Sequence, residues 1–215
     1  MNAEQLRARL ASRVAPGPPL RTPRQALLPP ATGAAANAAD ASAIEGSLVP
    51  AAVLVPFLLG PVPGVLLTKR CGQLAEHAGQ VSFPGGRIDE TDPSPEAAAL
   101  REAQEEIGLN PARVELLGRL GQYVTGSGYS ITPVVGVLPV GIGLDGLDLV
   151  PSPDEVEAVL VLPLAVLLDP EAPRRRQAEV RGRRREFWVW PHPEHYIWGA
   201  TAAILVHLAA LLRGE

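Results

Sequence analysis

One cysteine, Cys71, stands in 215 residues. It leaves no intrachain disulfide and no cysteine-based metal site, and it suits a reducing compartment. There is no excess of positive charge: 19 Lys and Arg against 23 Asp and Glu give a net charge of −4. No global field therefore recruits nucleic acid or an anionic membrane, and a polyanion would have to be met by local Arg or Lys groups or by metal ions. There is no apolar run of membrane-spanning length. The longest, Ile197–Leu212, is interrupted by His207 and falls short of the ~20 residues a span needs, which predicts a buried C-terminal helix. Met1–Val14 carries Arg7, Arg9 and Arg13 and no apolar core segment, unlike a secretory signal. Its Ala- and Arg-containing composition also matches an organellar presequence, the lesser reading. The last residues, Leu212-Arg213-Gly214-Glu215, form no peroxisomal address. A cytoplasmic setting is the expectation.

Aromatic residues are few, at 4%, whereas Pro (23) and Gly (21) are plentiful, so much of the chain is loop, turn or tail. Six prolines between Pro16 and Pro30 punctuate the start, and Ala31–Ala43 is Ala-rich and weakly patterned. Residues 1–48 read as a Pro/Ala-rich N-terminal extension, partly ordered. Within it a short helix over 3–14 would present Leu6, Leu10 and Val14 on one stripe. The compact domain is expected over 49–215, without internal repeats. Ala51–Leu59 reads as a buried strand and Gly64–Lys69 as its hairpin partner, separated by Gly60-Pro61 and Pro63-Gly64. Further strands are expected at Val114–Leu120, Thr132–Pro139 and Val156–Leu162, with a hairpin around Gly182 ending in Glu186–Trp190. The first strong helix starts at Ser94, a fitting N-cap, with Pro95 in the first helical position and Glu96 at the positive end of the dipole. Leu100, Ala103 and Ile107 line one face and Gly108 terminates it. Strands interspersed with two main helices predict a mixed α/β layered fold.

On that first helix Glu102, Glu105 and Glu106 stand at i, i+3 and i+4, on one side. Like charges so placed repel by roughly 0.2–0.5 kcal/mol per pair on an exposed helix. Arg101, four residues before Glu105, offsets one of them. The others need another partner, and a hard divalent cation supplies it, because Mg²⁺ binds carboxylate oxygen while keeping waters and substrate phosphates. Taken alone, the cluster also reads as a solvated acidic face. Phe83-Pro84-Gly85-Gly86 lies upstream, and adjacent glycines let backbone pass close to a ligand and leave carbonyls free for metal.

This order of parts resembles the Nudix box, G-x5-E-x7-R-E-U-x-E-E-x-G-U with U apolar. The right half is Arg101-Glu102-Ala103-Gln104-Glu105-Glu106-Ile107-Gly108-Leu109. Counting from Gly86, the first acidic position falls on Asp92, and the gap to Arg101 is one residue longer than the pattern. The coenzyme A branch of the family is similar in both respects. It also carries an upstream signature matched here by Leu66-Leu67-Thr68-Lys69-Arg70-Cys71, Gly79 and Phe83–Gly86, with Cys71 in place of a small residue and Ala75 in place of a second Arg. Ser127-Gly128-Tyr129, Thr132–Gly136, Asp154-Glu155-Val156, Pro163-Leu164 and Ile197–Ala202 resemble that branch too, so the likeness covers about residues 49–212.

The resemblance implies an α/β/α sandwich with a mixed β-sheet and a hydrolase of phosphoric anhydride bonds that uses Mg²⁺, with Mn²⁺ as a substitute. It implies Glu102, Glu106, Glu105 and the Gly86 carbonyl as metal ligands and Arg101, Glu102 and Glu105 as the catalytic group. Glu105 or a distal carboxylate, Glu155 or Glu157, would be the base. Lys69, Arg70, Gly79, Phe83 and Gly85 would meet substrate. The expected reaction cleaves coenzyme A or a derivative to 3′,5′-ADP and 4′-phosphopantetheine or its acyl form. The alternatives are another nucleoside diphosphate derivative, such as ADP-ribose or NADH, and a catalytically silent nucleotide-binding Nudix module. The expected partner is this small molecule, with no nucleic acid and no membrane; monomer or homodimer is left open. The arginines between Arg174 and Arg185 read as a solvated hairpin edge. His192 and His195 lack helical zinc-motif spacing, and Cys71 has no visible partner base for nucleophilic catalysis.

Overall fold

A computed structural model describes residues 3–14, 48–72, 79–125, 127–180, 183–192 and 194–214. The side chains at 178–180 and 183–185 fall outside that description. So do the proline-punctuated stretch at 15–47, Ala75, and Arg181 and Gly182, about which a hairpin is expected from the sequence.

The apolar run after residue 48 becomes strand β1 (Val49–Leu58), the centre of a mixed sheet. Its unbroken hydrophobicity suits a strand covered on both faces. β1 lies parallel to a distant strand, Tyr129–Val137, in an unbroken register from Val49↔Tyr129 to Phe57↔Val137. On its other edge β1 is shared. Strand β2 (Gly64–Arg70) meets only its far end, at Phe57↔Val65 and Leu58↔Gly64. The Gly-rich strand β4 (Gly85–Arg87) takes the near end, opposite Ala51–Val53. The expected hairpin of β1 and β2 is thus a short contact. β2's long partner is Val156–Pro163, antiparallel from Gly64↔Pro163 to Arg70↔Val156, because the Pro-rich turn splays β2 away and leaves β1 open for β4. A two-residue strand β3 (Val81–Ser82) completes that edge against Thr68 and Lys69. In chain order the remaining strands of the sheet are β5 (Glu115–Arg119), β6 (Tyr123–Val124), β7 (Tyr129–Val137) and β8 (Val156–Pro163).

Helices cover both faces. The N-terminal helix α1 spans Ala3–Arg13, α2 spans Pro95–Ile107, the short α3 spans Leu164–Leu168, and α4 spans Gly199–Arg213. Ala98, Ala99, Ala103 and Ile107 of α2 pack on Ala52, Leu54, Leu66 and Val134 in one core cluster. The other cluster joins Leu6, Leu10 and Val14 to Val55, Phe57, Leu205, Leu208 and Leu212, with α3 beside them. The architecture is therefore the expected α/β/α sandwich around a mixed sheet. A second sheet, β9 (Arg174–Val180), β10 (Arg183–Trp190) and β11 (Ile197–Trp198), leans on the first. Thr201 Oγ1 donates to the Val81 carbonyl at 3.0 Å, tying the first turn of α4 to β3. Arg174, Arg175 and Arg176 are exposed on β9, and the Arg175 guanidinium lies 4.7 Å from the Trp188 ring centroid.

Both ends of α2 follow from sequence chemistry. Ser94 Oγ accepts from Ala97 N at 3.2 Å, and Gly108 adopts φ 67° to close the C-terminus. An ion pair between Glu96 and Arg119 of β5, with Nη2 at 2.6 Å from Oε2, fixes the helix against the sheet.

Candidate active site

β4 brings a bare backbone up to α2. A Cβ on Gly86 would stand 2.5 Å from Glu102 Oε1, and one on Gly85, at φ 154°, would stand 2.6 Å from Val53 Cα. Only a Gly-Gly pair passes between β1 and the helix carboxylates. Gly85 N donates to Glu106 Oε2 at 3.3 Å, and Arg70 Nη1, from the end of β2, donates to Glu106 Oε1 at 3.3 Å. Glu106 is only 2% exposed. Burial pushes its carboxyl up to about 7; Arg70 and the Gly85 N–H oppose the rise, and the charges of Glu102 and Glu155 reinforce it. The Glu102 carboxyl is also raised, first by burial, against the pull of Arg101 and with repulsion from Glu105 and Glu155.

Arg101 organises the exposed side of the cluster. Its Nη1 donates to Glu102 Oε1 at 3.1 Å and to Glu105 Oε2 at 2.9 Å. Its Nε and Nη2 grip Asp92 Oδ1 and Oδ2 at 3.1 and 2.9 Å, and Nη2 also reaches the Arg87 carbonyl at 3.2 Å. Asp92 in turn accepts from Asp89 N at 2.9 Å. The Arg101 hydrogen bonds hold the Asp92 carboxyl below the usual carboxylate range and raise the arginine's pKa. Asp92 thus anchors the arginine and stands apart from the three glutamates.

The distal candidates separate. Glu155 acts electrostatically on both Glu102 and Glu106. Its loop is sewn to the site: Ser152 N donates to the Glu106 carbonyl at 2.8 Å and Cys71 N to the Glu155 carbonyl at 2.8 Å. Glu157 instead accepts from Lys69 Nζ at 2.7 Å. Gly79, at φ 68°, donates its N–H to the Arg70 carbonyl at 3.2 Å. Phe83, expected against substrate, is 2% exposed and belongs to the core cluster on the α4 side of the sheet. Cys71 Sγ points at the Pro153 carbonyl, 3.2 Å away. His192 and His195 stack on each other at 4.7 Å. Sequence reasoning gave Arg87 no part, yet it neighbours Gly86 and its Nη2 donates to Tyr129 Oη at 2.9 Å. Only the Ser127-Gly128-Tyr129 stretch signalled that corner.

Among the described residues, no three His, Cys, Asp or Glu side chains converge as a preassembled cage for a metal ion. The donor set nevertheless fits a hard dication. One buried carboxylate, Glu106, and one partly buried carboxylate, Glu102, stand one helical turn apart against bare glycine backbone, and Mg²⁺ binds through one or two carboxylates while keeping water and substrate oxygens.

A model of the NUDIX domain family matches residues 49–181. A protein of Cronobacter sakazakii described as an uncharacterized Nudix hydrolase, NudL, is 44% identical over 159 residues, 74% of this chain and 80% of that protein. Its namesake in Escherichia coli K12 is 43% identical over the same shares. Among solved structures, a MutT/nudix family protein from Enterococcus faecalis aligns with a TM-score of 0.48 at 15% identity over 78% of this chain and 68% of its own. An Ap4A hydrolase from C. elegans aligns at 0.47 and 16% over 76% and 92%.

Proposed function

Since the chain belongs to the Nudix hydrolase family, we propose that it is a Mg²⁺-dependent pyrophosphohydrolase. Its substrate is coenzyme A or a derivative, cleaved to 3′,5′-ADP and 4′-phosphopantetheine or its acyl form. One observation carries the reading. The segment Leu66–Arg70, which resembles the coenzyme A branch, ends with Arg70 Nη1 3.3 Å from Glu106 Oε1, so the substrate-type signature and the hydrolytic helix meet in one place.

Glu102, Glu106 and the Gly86 carbonyl would hold the cation, with Glu105 as a further ligand. A divalent cation bound there supplies Lewis acidity and neutralises diphosphate charge. Arg101 keeps Glu102 and Glu105 turned to one side of α2, so that the carboxylates are positioned before substrate arrives. Arg70 and Lys69 end β2 beside the cluster and meet substrate phosphate. Water attacks one phosphorus in line; its oxygen forms the new P–O bond and the bridging P–O bond breaks, leaving the other product as a phosphate anion. Glu155 accepts the proton lost by the water. It suits the role because its charge already bears on Glu102 and Glu106, whereas Glu157 is held by Lys69. Glu155→Gln is expected to lower kcat by roughly 10²–10⁴-fold, the usual worth of a general base, and Glu157→Gln by far less. Equal losses in the two variants would remove Glu155 from this role.

The substrate is tested by incubating the purified protein with Mg²⁺ or Mn²⁺ and CoA, acyl-CoAs, ADP-ribose, NADH and dinucleoside polyphosphates, with products identified by mass. Preferred release of 3′,5′-ADP from CoA compounds is the expected result. Preference for ADP-ribose or NADH would move the substrate to that class, and no turnover at all would make the chain a nucleotide-binding module.

A further inference from the structure

The aromatic residues are few and unevenly spread. Of three each of Trp, Tyr and Phe, five fall between Phe187 and Trp198, within and between β10 and β11 of the three-stranded sheet. The register sorts that sheet into two faces, because successive residues of a strand point opposite ways. Trp190, opposite Ile197, points into the core shared with α4. Val189, opposite Trp198, points the other way. Phe187 lies two residues along from Val189, and β9 sets Arg176 opposite Phe187 and Arg174 opposite Val189. Across this outer face one row therefore reads Trp198, Val189, Arg174 and the next Phe187, Arg176.

The rings stand at one side of the face and the cations at the other. Trp198 is 38% exposed and Tyr196 56%, and Arg174 and Arg176 are exposed. Phe187 meets Trp198 edge to face at 5.6 Å between centroids, and Tyr196 lies 6.4 Å from Trp198, so the rings brace one another before any ligand arrives. The inner face is balanced differently: Arg175 lies over Trp188 and its Nη1 is 3.7 Å from Glu186 Oε2. None of the five positions in the two outer rows is acidic, so the outer face is a local positive patch on a chain of net charge −4. It fits a ligand that carries a flat π-system and, one or two strand spacings away, an anionic group, a span of about 5–10 Å. A nucleotide has that form. Its base stacks on aromatic rings, and its phosphate matches the guanidinium fork. A second copy of this chain fits less well, because a twofold pairing of the face brings the same arginines to a surface without acids.

Position ties the face to the carboxylates. β11 runs beside β3, and Val81 and Ser82 of β3 pair with Lys69 and Thr68 of β2, the strand whose Arg70 reaches Glu106. Within Ile197–Thr201, Ile197 fills the core, Gly199 turns left-handed at φ 66° and Thr201 bonds the Val81 carbonyl, which leaves Trp198 on the open face one strand beyond β3. The base and sugar phosphate of a nucleotide lie several bonds from its diphosphate, so their subsite belongs beside the metal-binding helix and not on it.

We propose that the outer face of the β9–β11 sheet is the nucleoside subsite of the enzyme. Trp198 and Phe187 stack on the base, and Arg174 and Arg176 grip a phosphate monoester on the sugar. The subsite rests on the proposed function for the choice of substrate, and its binding test does not.

The test compares Trp198→Ala, Trp198→Phe and the double variant Arg174→Ala/Arg176→Ala with wild-type protein. Calorimetric binding of 3′,5′-ADP and of 5′-AMP, which lacks the monoester, is measured without divalent metal, and steady-state kinetics are run on CoA and dephospho-CoA. Trp198→Ala is expected to weaken both nucleotides by roughly 5–100-fold, the worth of one stacked base, and to raise KM for both substrates. Trp198→Phe, which keeps a ring, should recover part of the loss. The double arginine variant should weaken 3′,5′-ADP by roughly tenfold or more and leave 5′-AMP near wild type, and in kinetics raise KM for CoA more than for dephospho-CoA. Unchanged binding of 3′,5′-ADP in both Trp198→Ala and the arginine variant overturns the proposal. So does a wild-type dimer that Trp198→Ala dissociates in sedimentation while nucleotide binding is unchanged, which would make the face a contact between copies. If wild-type protein cleaves no CoA compound while these variants still lose 3′,5′-ADP, the substrate reading fails and the subsite stands. Should Trp198→Ala melt early, Trp198→Phe and the arginine variant carry the comparison.

Discussion

Glu106 meets two opposed demands. Function asks for a carboxylate; burial at 2% exposure asks for a neutral acid and lifts its pKa from an ordinary 4.5 to about 7. Between those two values the folded protein binds a proton that the unfolded chain has released. The linked stability is therefore fully present below about pH 4.5 and is lost as pH rises through about 7. Melting scans of metal-free protein from pH 5 to pH 8 should show a falling transition temperature, reversed by saturating Mg²⁺. Glu106→Gln should flatten that fall and melt higher than wild type at pH 8 without metal, while turnover drops by about 10³-fold for the loss of several kcal/mol of charge stabilisation. Mn²⁺ affinity should weaken by about tenfold per pH unit below 7, since binding releases the proton. A metal-free transition that climbs with pH across this window, or near-normal turnover by the glutamine variant, would contradict the account of this residue.

The loop and helix that carry the site show which parts of an element a sequence discloses. The ends of α2 were legible because Ser94, Pro95 and Gly108 each act locally, by accepting an orphan N–H, fixing φ, and turning left-handed. Partners were not legible. Nothing in Gly64–Arg70 says that its long neighbour is β8, and an apolar run such as β1 carries no mark of the parallel pairing with β7, because hydrophobic alternation records which face is buried and not which strand lies alongside. Asp92 is similar: counting residues found it, but its grip on Arg101 emerged only when the turn at Asp89 folded it back. The glycines differ from both, since their need is steric and local. Gly85→Ala should cost at least about 2 kcal/mol in urea unfolding, because φ 154° is strained for any residue with a Cβ and that Cβ meets β1, and activity should fall with it as the Gly85 N–H leaves Glu106. Ser94→Ala should cost about 1 kcal/mol through the lost cap and leave kcat near normal. Similar activity in the two variants would show that the Gly-Gly passage does not govern the site.

At the scale of the molecule, the least legible feature is the docking of α1. The stripe of Leu6, Leu10 and Val14 was readable, but a stripe does not name the surface it covers. The family match begins at residue 49, yet these three side chains are 0–1% exposed in the same core as Leu205, Leu208 and Leu212 of α4. Arg9 Nη2 donates to the Arg213 carbonyl at 3.1 Å, and Arg7 pairs with Glu115 of β5. Apolar burial and surface pairing predict unequal costs. Leu6→Ala should destabilise by roughly 2–5 kcal/mol, the range for a fully buried leucine. Arg7→Ala should cost far less, since both partners are half-exposed and water screens the pair. Removing residues 1–14 should lower the melting temperature and expose the α4 stripe, read as increased binding of an apolar dye. The carboxylates lie on the opposite face of the sheet, with α2, so turnover per folded molecule at low temperature should survive the truncation. A Leu6→Ala variant within about 0.5 kcal/mol of wild type, the scatter of ordinary surface changes, would mean that α1 rests on the domain without holding it. A truncated protein that folds but loses turnover would mean that the helix reaches the site through α4, Thr201 and β3.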